Sequence, residues 1–302
     1  MRIRVSAALL VAFTSATPAW AERVPFTRTF EVGVGPTLEV TTGRGKITVM
    51  PGQPGRIVVR GMVTVRIGID VPQDALALAE KVAANPPVRQ AADVIALNTP
   101  TDSRERRAVT VSYEVEVPPA ARVHAISESG ETAITGIDGP VSVRTQSASI
   151  AVGRLGGKSD VVTGSGAVQV DGAAGDLSVT TSSSGITVRD AGAGVRAKTQ
   201  SGAVAVSLKG AGPVHIRTGS SGVRLKGLGG AADIETGSGR IEIELAPGAA
   251  LRLDALTRSG GVDVKAVQVT GEIDKRRVRG AIGAGGPDVR LVSRSGSIKI
   301  TH

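Results

Sequence analysis

The side chains that could do chemistry are few and scattered. Histidine occurs only at His124, His215 and His302, and there is no cysteine. None of the histidines has a second ligand at metal-binding spacing, which argues against zinc or transition-metal sites. His215 stands between Val214 and Ile216 and reads as a surface residue. Serine is abundant, but it recurs in a fixed setting. Ser-Gly stands at Ser129-Gly130, Ser165-Gly166, Ser184-Gly185, Ser201-Gly202, Ser221-Gly222, Ser238-Gly239, Ser259-Gly260 and Ser295-Gly296. A nucleophile needs one base and one orienting acid beside it. A serine repeated along the whole chain reads as a turn residue, where hydroxyl and glycine suit tight backbone. Asp160, Asp171, Asp176 and Asp190 stand near turns, but the Gly-Gly-x-Gly-x-Asp nonapeptide of calcium-binding repeats is absent. Gly283-Ala284-Gly285-Gly286 lacks the Lys-Ser/Thr of a phosphate loop. No cofactor and no metal are expected.

One basic cluster stands out: Lys275, Arg276, Arg277 and Arg279. It reads first as a solvated excursion and second as a contact for an anionic polymer or a partner protein. Formal net charge is +9, which suits anionic partners without naming one.

The elements that must carry these residues follow from a repeat. From about residue 125 the chain falls into units of roughly 18 residues. Each has a Thr-x-Ser-Gly marker between two short aliphatic alternations. Thr145, Thr163, Thr181, Thr199, Thr218, Thr236 and Thr257 form one file, with Ser293 in the equivalent last place, and Ser147-Ala148 fills one marker gap. Val141-x-Val143 with Ile150-x-Val152, and Val195-x-Ala197 with Val204-x-Val206, show the alternation. Period-two alternation is the mark of a strand with one buried face. A single unit buries almost nothing. Units stacked at ~4.8 Å share a continuous core.

The expected fold class is therefore all-β: a mostly parallel β-solenoid of two-strand coils, roughly ten or more in number, with Val143, Val161 and Val179 in one interior row. A β-sandwich is the alternative. Arg224 and Lys226 should then face Glu242 and Glu244, and Arg217 should face Glu235, on the outer surface.

Residues 22–122 read as an N-terminal lead-in and capping region. Residues 123–302 read as the repeat region, with an interrupted unit at about 266–288. One short helix is expected over Pro72 to Ala84, with Leu76, Leu78 and Val82 inward. Strands are expected over Ile57 to Val65 and Val109 to Val117. Because the chain stops just after Ile300, the last coil is expected to be poorly covered, which would permit end-to-end self-association.

Residues 1–21 read as a signal peptide: Arg2 and Arg4, an apolar run, then Ala19-Trp20-Ala21. The protein is thus expected to be exported, to the periplasm or the cell surface, with no membrane span. Beyond residue 21 the aromatics are Phe26, Phe30 and Tyr113. Sugar- and nucleic-acid-binding faces usually stack on aromatics, so nucleic acid is not an expected partner.

These features together resemble the bacterial DUF4097 family, whose members are described as adhesins built from β-strand repeats. The likeness rests on Leu38 to Val49, Val115-Glu116-Val117-Pro118 leading into Ser129-Gly130, the Thr-x-Ser-Gly units, and Ser293 to Ile300. The resemblance implies a right-handed β-solenoid and an adhesin-like role, and it brings no catalytic residues. The functional expectation is a non-catalytic surface or envelope interaction module. Its partner would be an envelope protein, a surface protein or a polysaccharide. The alternatives are a polysaccharide-active β-helix enzyme and a self-assembling envelope scaffold.

Overall fold

The computed structural model describes residues 22–302. The signal-peptide reading of residues 1–21 lies outside the described residues. Among the described residues the protein is predominantly β, with a 13-stranded sheet, a 14-stranded sheet and two helices.

The repeat units pair in register. The strands before each marker, such as Val141–Thr145, Ser159–Thr163 and Leu177–Thr181, lie side by side and parallel in one sheet. The strands after it, such as Ile150–Leu155, Val168–Ala173 and Ile186–Ala191, do so in the other. Val143 pairs with Val161 and Val161 with Val179, and all three are fully buried. The inward residues of both sheets form one continuous aliphatic core. The interior row read from the sequence is present.

The second strand of most units carries more than its alternation announces; Val204–Leu208 and Ile241–Leu245 keep plain alternation. After two inward aliphatics, a residue in the left-handed region turns the chain so that a third points inward. Gly136 (φ 69°), Gly172 (φ 85°) and Gly227 (φ 75°) precede buried Ile137, Ala173 and Leu228. Arg154 (φ 51°) and Asp190 (φ 56°) do the same before Leu155 and Ala191 without being glycine. The ladder skips these residues, as at a β-bulge. A side chain costs about 1–2 kcal/mol in that conformation. Arg154→Gly should therefore stabilise the protein by about 0.5–1 kcal/mol after the added unfolded-state freedom, read as a rise in Tm.

The N-terminal region differs from expectation in three ways. Strand Arg56–Val65 pairs antiparallel with both Arg23–Glu31 and Val109–Val117, and only then does Val109–Val117 pair parallel with Ile47–Pro51. Alternation marks a buried face but not a direction, so this reversal was not readable. Helix α1 (Ala75–Ala84) buries Ala75, Ala79, Val82 and Ala83, while Leu76 is 41% exposed. The small residues face inward because the helix packs closely on strands Arg23–Glu31 and Arg56–Val65. A second helix, α2 (Ser103–Ala108), was not anticipated; the carboxylate of Asp102 caps it, accepting from the N–H groups of Arg104 (2.7 Å) and Glu105 (3.1 Å). Asp102-x-x-Glu105 was the available signal. Lys81 and Glu105 join the two helices at 2.9 Å.

The end of the stack also corrects the sequence reading. Asp288–Ser295 lies between Ala232–Thr236 and Leu251–Ser259, pairing parallel with each. Ile298–Thr301 lies likewise between Ile241–Leu245 and Val262–Lys265. The last coil in sequence is thus inserted beneath the coil that precedes it. The interrupted unit is an antiparallel hairpin, Val269–Ile273 and Arg277–Ile282, whose second strand pairs with Leu251–Ser259. Its turn closes over the stack, with the Lys275 carbonyl accepting from Val262 N–H (3.0 Å) and the Arg276 carbonyl from Thr257 N–H (2.9 Å). The expectation of an uncovered C-terminal coil is overturned. The strands left at this end are short and carry Asp263, Lys265 and Glu272, devices that discourage strand-to-strand joining.

Candidate interaction surface

The Thr-x-Ser-Gly turn sorts its residues by burial. The threonines are buried and the serines of the marker face solvent or its margin. From Thr163 onward each threonine hydroxyl reaches the turn of the coil beneath, whereas Thr145 bonds the Ala148 carbonyl of its own turn at 2.9 Å. Thr163 Oγ1 donates to the Ala148 carbonyl (3.2 Å), Thr236 to Ser221 (2.9 Å) and Thr257 to Gly296 (2.7 Å). The same oxygens accept from their own turns: Gly166 N–H to Thr163 Oγ1, and Gly202 N–H to Thr199 Oγ1, both 3.0 Å. Two marker serines make bonds of the same kind, Ser184 and Ser221 donating to the Ser165 and Ser201 carbonyls of the coil beneath, but the threonine file carries most of them.

Thr163→Val keeps shape and removes that oxygen, leaving buried Gly166 N–H and the Ala148 carbonyl without this partner. A loss of about 2–3 kcal/mol is expected, read as a lower denaturation midpoint with accelerated exchange at Gly166.

Glycine recurs at the apex of this turn because the next coil lies against it. A Cβ at Gly166 would sit 1.7 Å from the Ala148 carbonyl oxygen, at Gly202 1.8 Å from that of Ser184, and at Gly239 1.9 Å from that of Ser221. Ala148, Ser184 and Ser221 thus alternate with glycines above and below.

The outward residues form charged ladders, as the spacing predicted. Arg224 holds Glu242 through two nitrogens (2.8 and 2.9 Å), Lys226 meets Glu244 at 3.6 Å, and Arg217 meets Glu235 at 3.6 Å. Arg189 and Asp171 pair at 2.7 Å. The hydrogen bond from Arg224 holds the Glu242 carboxyl below its ordinary value, and bonds from Gln169 and then Arg189 do the same for Asp171. A lowered folded-state value means that the contribution is present above the ordinary carboxylate range and is lost as pH falls through the lowered value. These exposed pairs each contribute little; they favour the in-register stacking and balance cation against carboxylate between neighbouring strands.

One stretch departs from that balance. Before the strands of the 14-stranded sheet, Lys158, Asp176, Arg196, Pro213 and His215 border a shallow groove of about 200 Å³. Asp176 is engaged, its carboxylate accepting from Gly194 N–H at 3.1 Å. Arg196 and His215 pair across neighbouring strands with exposed side chains, and Lys198 stands two residues along. Sequence reading treated His215 as plain surface and missed this groove, because its residues come from four different units.

The other singled-out residues are dispersed. Lys275 and Arg276 occupy the tip of the capping hairpin, Arg277 pairs with Asp254 at 3.2 Å, and Arg279 stands between Asp254 and Glu272 on the adjacent strands. The hairpin thus gives the cluster a structural part that the sequence did not show. Asp160, Asp171 and Asp190 lie within strands and bind Arg144, Arg189 and Lys209, so three of the four aspartates are already occupied by cations. Among the described residues no three metal-ligating side chains converge. Gly283 (φ 60°) and Gly285 (φ 75°) make a loop between strands, with no helix following. No described helix is long and apolar enough to cross a membrane.

No family model matches the chain, and no curated protein matches it. Two solved structures align along most of its length. One is from Clostridium sporogenes and carries a provisional description as a cell adhesion protein, with 10% identity and a TM-score of 0.24, covering 92% of this chain and 99% of that one. The other, from Bacteroides fragilis and provisionally described as an adhesin, has 11% identity and a TM-score of 0.27, covering 92% of this chain and 96% of that one.

Proposed function

We propose that this protein is an exported, non-catalytic interaction module, a right-handed β-solenoid of two-strand coils that presents its outer faces to an envelope or cell-surface partner in the manner of an adhesin. The observation that carries this reading is where the polar chemistry sits. The interior is filled by stacked Val, Ile and Leu, while the charged residues lie on two broad outer faces, largely as exposed ion pairs. A long flat surface built from in-register coils suits recognition of an extended partner. The groove of Lys158, Arg196 and His215, with Lys198 beside it, gives that surface its preference for acidic groups.

Binding to acidic polysaccharide, measured by co-sedimentation, tests the proposal. Replacing Lys158, Arg196 and Lys198 together by Gln should weaken binding by about tenfold or more, at roughly 0.5–1 kcal/mol per exposed charge, and flatten its salt dependence. Lys275→Gln with Arg276→Gln should change it little. Depolymerisation of the glycan by the native protein would establish the enzyme alternative instead. Unaltered binding in the triple variant would remove the groove from the reading.

A further inference from the structure

At the opposite end of the stack from the capping hairpin, three arginines border one cleft. Arg44, Arg66 and Arg106 line a space of about 310 Å³ whose one lining carboxylate is Glu128. Arg44 occupies the serine place of the first turn, where later coils carry a neutral hydroxyl. Gly45 beside it allows the turn to lie on strand Val109–Val117, since a Cβ there would fall 1.8 Å from the Val111 carbonyl oxygen. Arg66 follows strand Arg56–Val65 and is only partly exposed, with Nη1 donating to the Arg106 carbonyl at 3.3 Å. Arg106 donates to the Pro100 carbonyl at 3.1 Å and to that of Thr101. Among the described residues, none of these three guanidiniums forms an ion pair, in contrast to the arginines of the ladders.

A second observation lies next to the first. The segment leaving Arg66 exposes Ile67 (74%) and Ile69 (105%) on the loop that joins strand Arg56–Val65 to α1. Two isoleucines held in water beside unpaired arginines are costly for a free surface and useful at an interface. Cationic side chains next to projecting apolar ones match an anionic bilayer surface, where guanidiniums meet phosphates and the apolar tips enter the headgroup boundary. A polysaccharide would satisfy the arginines and leave the isoleucines wet.

We infer that this end of the protein docks on an anionic phospholipid surface, with Arg44, Arg66 and Arg106 binding lipid phosphate and Ile67 and Ile69 inserting. The coils would then project away from the membrane and hold the groove of Lys158 and Arg196 apart from it. The inference is independent of the polymer-binding proposal, and either can fail without the other.

Flotation with vesicles of phosphatidylcholine and phosphatidylglycerol tests it, beside vesicles of phosphatidylcholine alone. The native protein should float with the mixed vesicles and not with the neutral ones, and added salt should release it. Ile67→Ser with Ile69→Ser should weaken partitioning by about tenfold. Arg44→Gln should weaken it about fivefold. Both sites are exposed or at a turn, and thermal melts matching the native protein would show that the variants fold. Lys275→Gln with Arg276→Gln, at the far end, should partition like the native protein. Three results would each overturn the inference: no flotation; equal flotation of the double serine variant; or a thermal shift with inorganic phosphate, lost in Arg44→Gln, without vesicle binding. The last would mark a soluble-anion site.

Discussion

Gly166→Val should lower stability by about 4 kcal/mol or more, enough to leave much of the protein unfolded or aggregated on expression. The position is buried at the turn apex, and a Cβ would overlap the Ala148 carbonyl oxygen at 1.7 Å. That oxygen is backbone, fixed by the parallel ladder on either side of the turn and by the Thr163 hydroxyl. Relief requires two coils to separate, so the cost exceeds the 1–3 kcal/mol of ordinary overpacking. Ser165→Ala is the paired control. Ser165 is exposed, and a change within about 0.5 kcal/mol is expected. Chemical denaturation of both proteins measures the difference. A Gly166→Val protein with a native midpoint would mean that the turns are not in contact as described. In this unit the glycine of the marker is structurally demanding and the serine is not; in Ser184-Gly185 and Ser221-Gly222 the serine stands at the apex and the glycine has room.

Removing residues 288–302 should have a second large effect, confined to one end. This segment is the penultimate layer of the stack, not its last, and it buries Val289, Leu291, Ile298 and Ile300. At about 1.5–3 kcal/mol each, their loss is on the order of 6–12 kcal/mol of burial. Each coil touches mainly its neighbours, so damage should not spread far. Residues up to Leu245 should keep their exchange protection and protease resistance, while 246–287 lose both. Global unfolding of the truncated chain would contradict nearest-neighbour coupling. Native protection of 251–265 would show that this coil had closed directly onto Ala232–Thr236.

That alternative closure explains why the order of layers was not readable. Thr236, Ser293 and Thr257 stand in consecutive layers, and each would fit the others' places. A periodic sequence states what a layer looks like and leaves open which layers touch. The interior row, the charged ladders and the threonine file followed directly from spacing, because parallel in-register pairing turns equal spacing into proximity. Ile137, Leu155, Ala173 and Ala191, the third inward residues of four units, did not, since each depends on a left-handed residue that is glycine at 136 and 172 but arginine at 154 and aspartate at 190. The groove was hidden for a different reason. Lys158 and Asp176 share one place in their units and Arg196 and His215 another, two residues further along, and the two pairs meet only when the sheet is formed. The arginine cleft joins Arg44, Arg66 and Arg106 through antiparallel pairing that alternation cannot specify.

The alternation at the turn apex limits how such a chain can change length. Ala148, Ser184 and Ser221 each have a glycine layer on both sides. Copying the Ala148 layer alone would set alanine against alanine where only hydrogen is tolerated. Copying it together with a glycine layer would preserve every contact. Viable longer relatives should therefore gain their side-chain-bearing layers together with a glycine layer, and an engineer adding such a layer should insert a doublet.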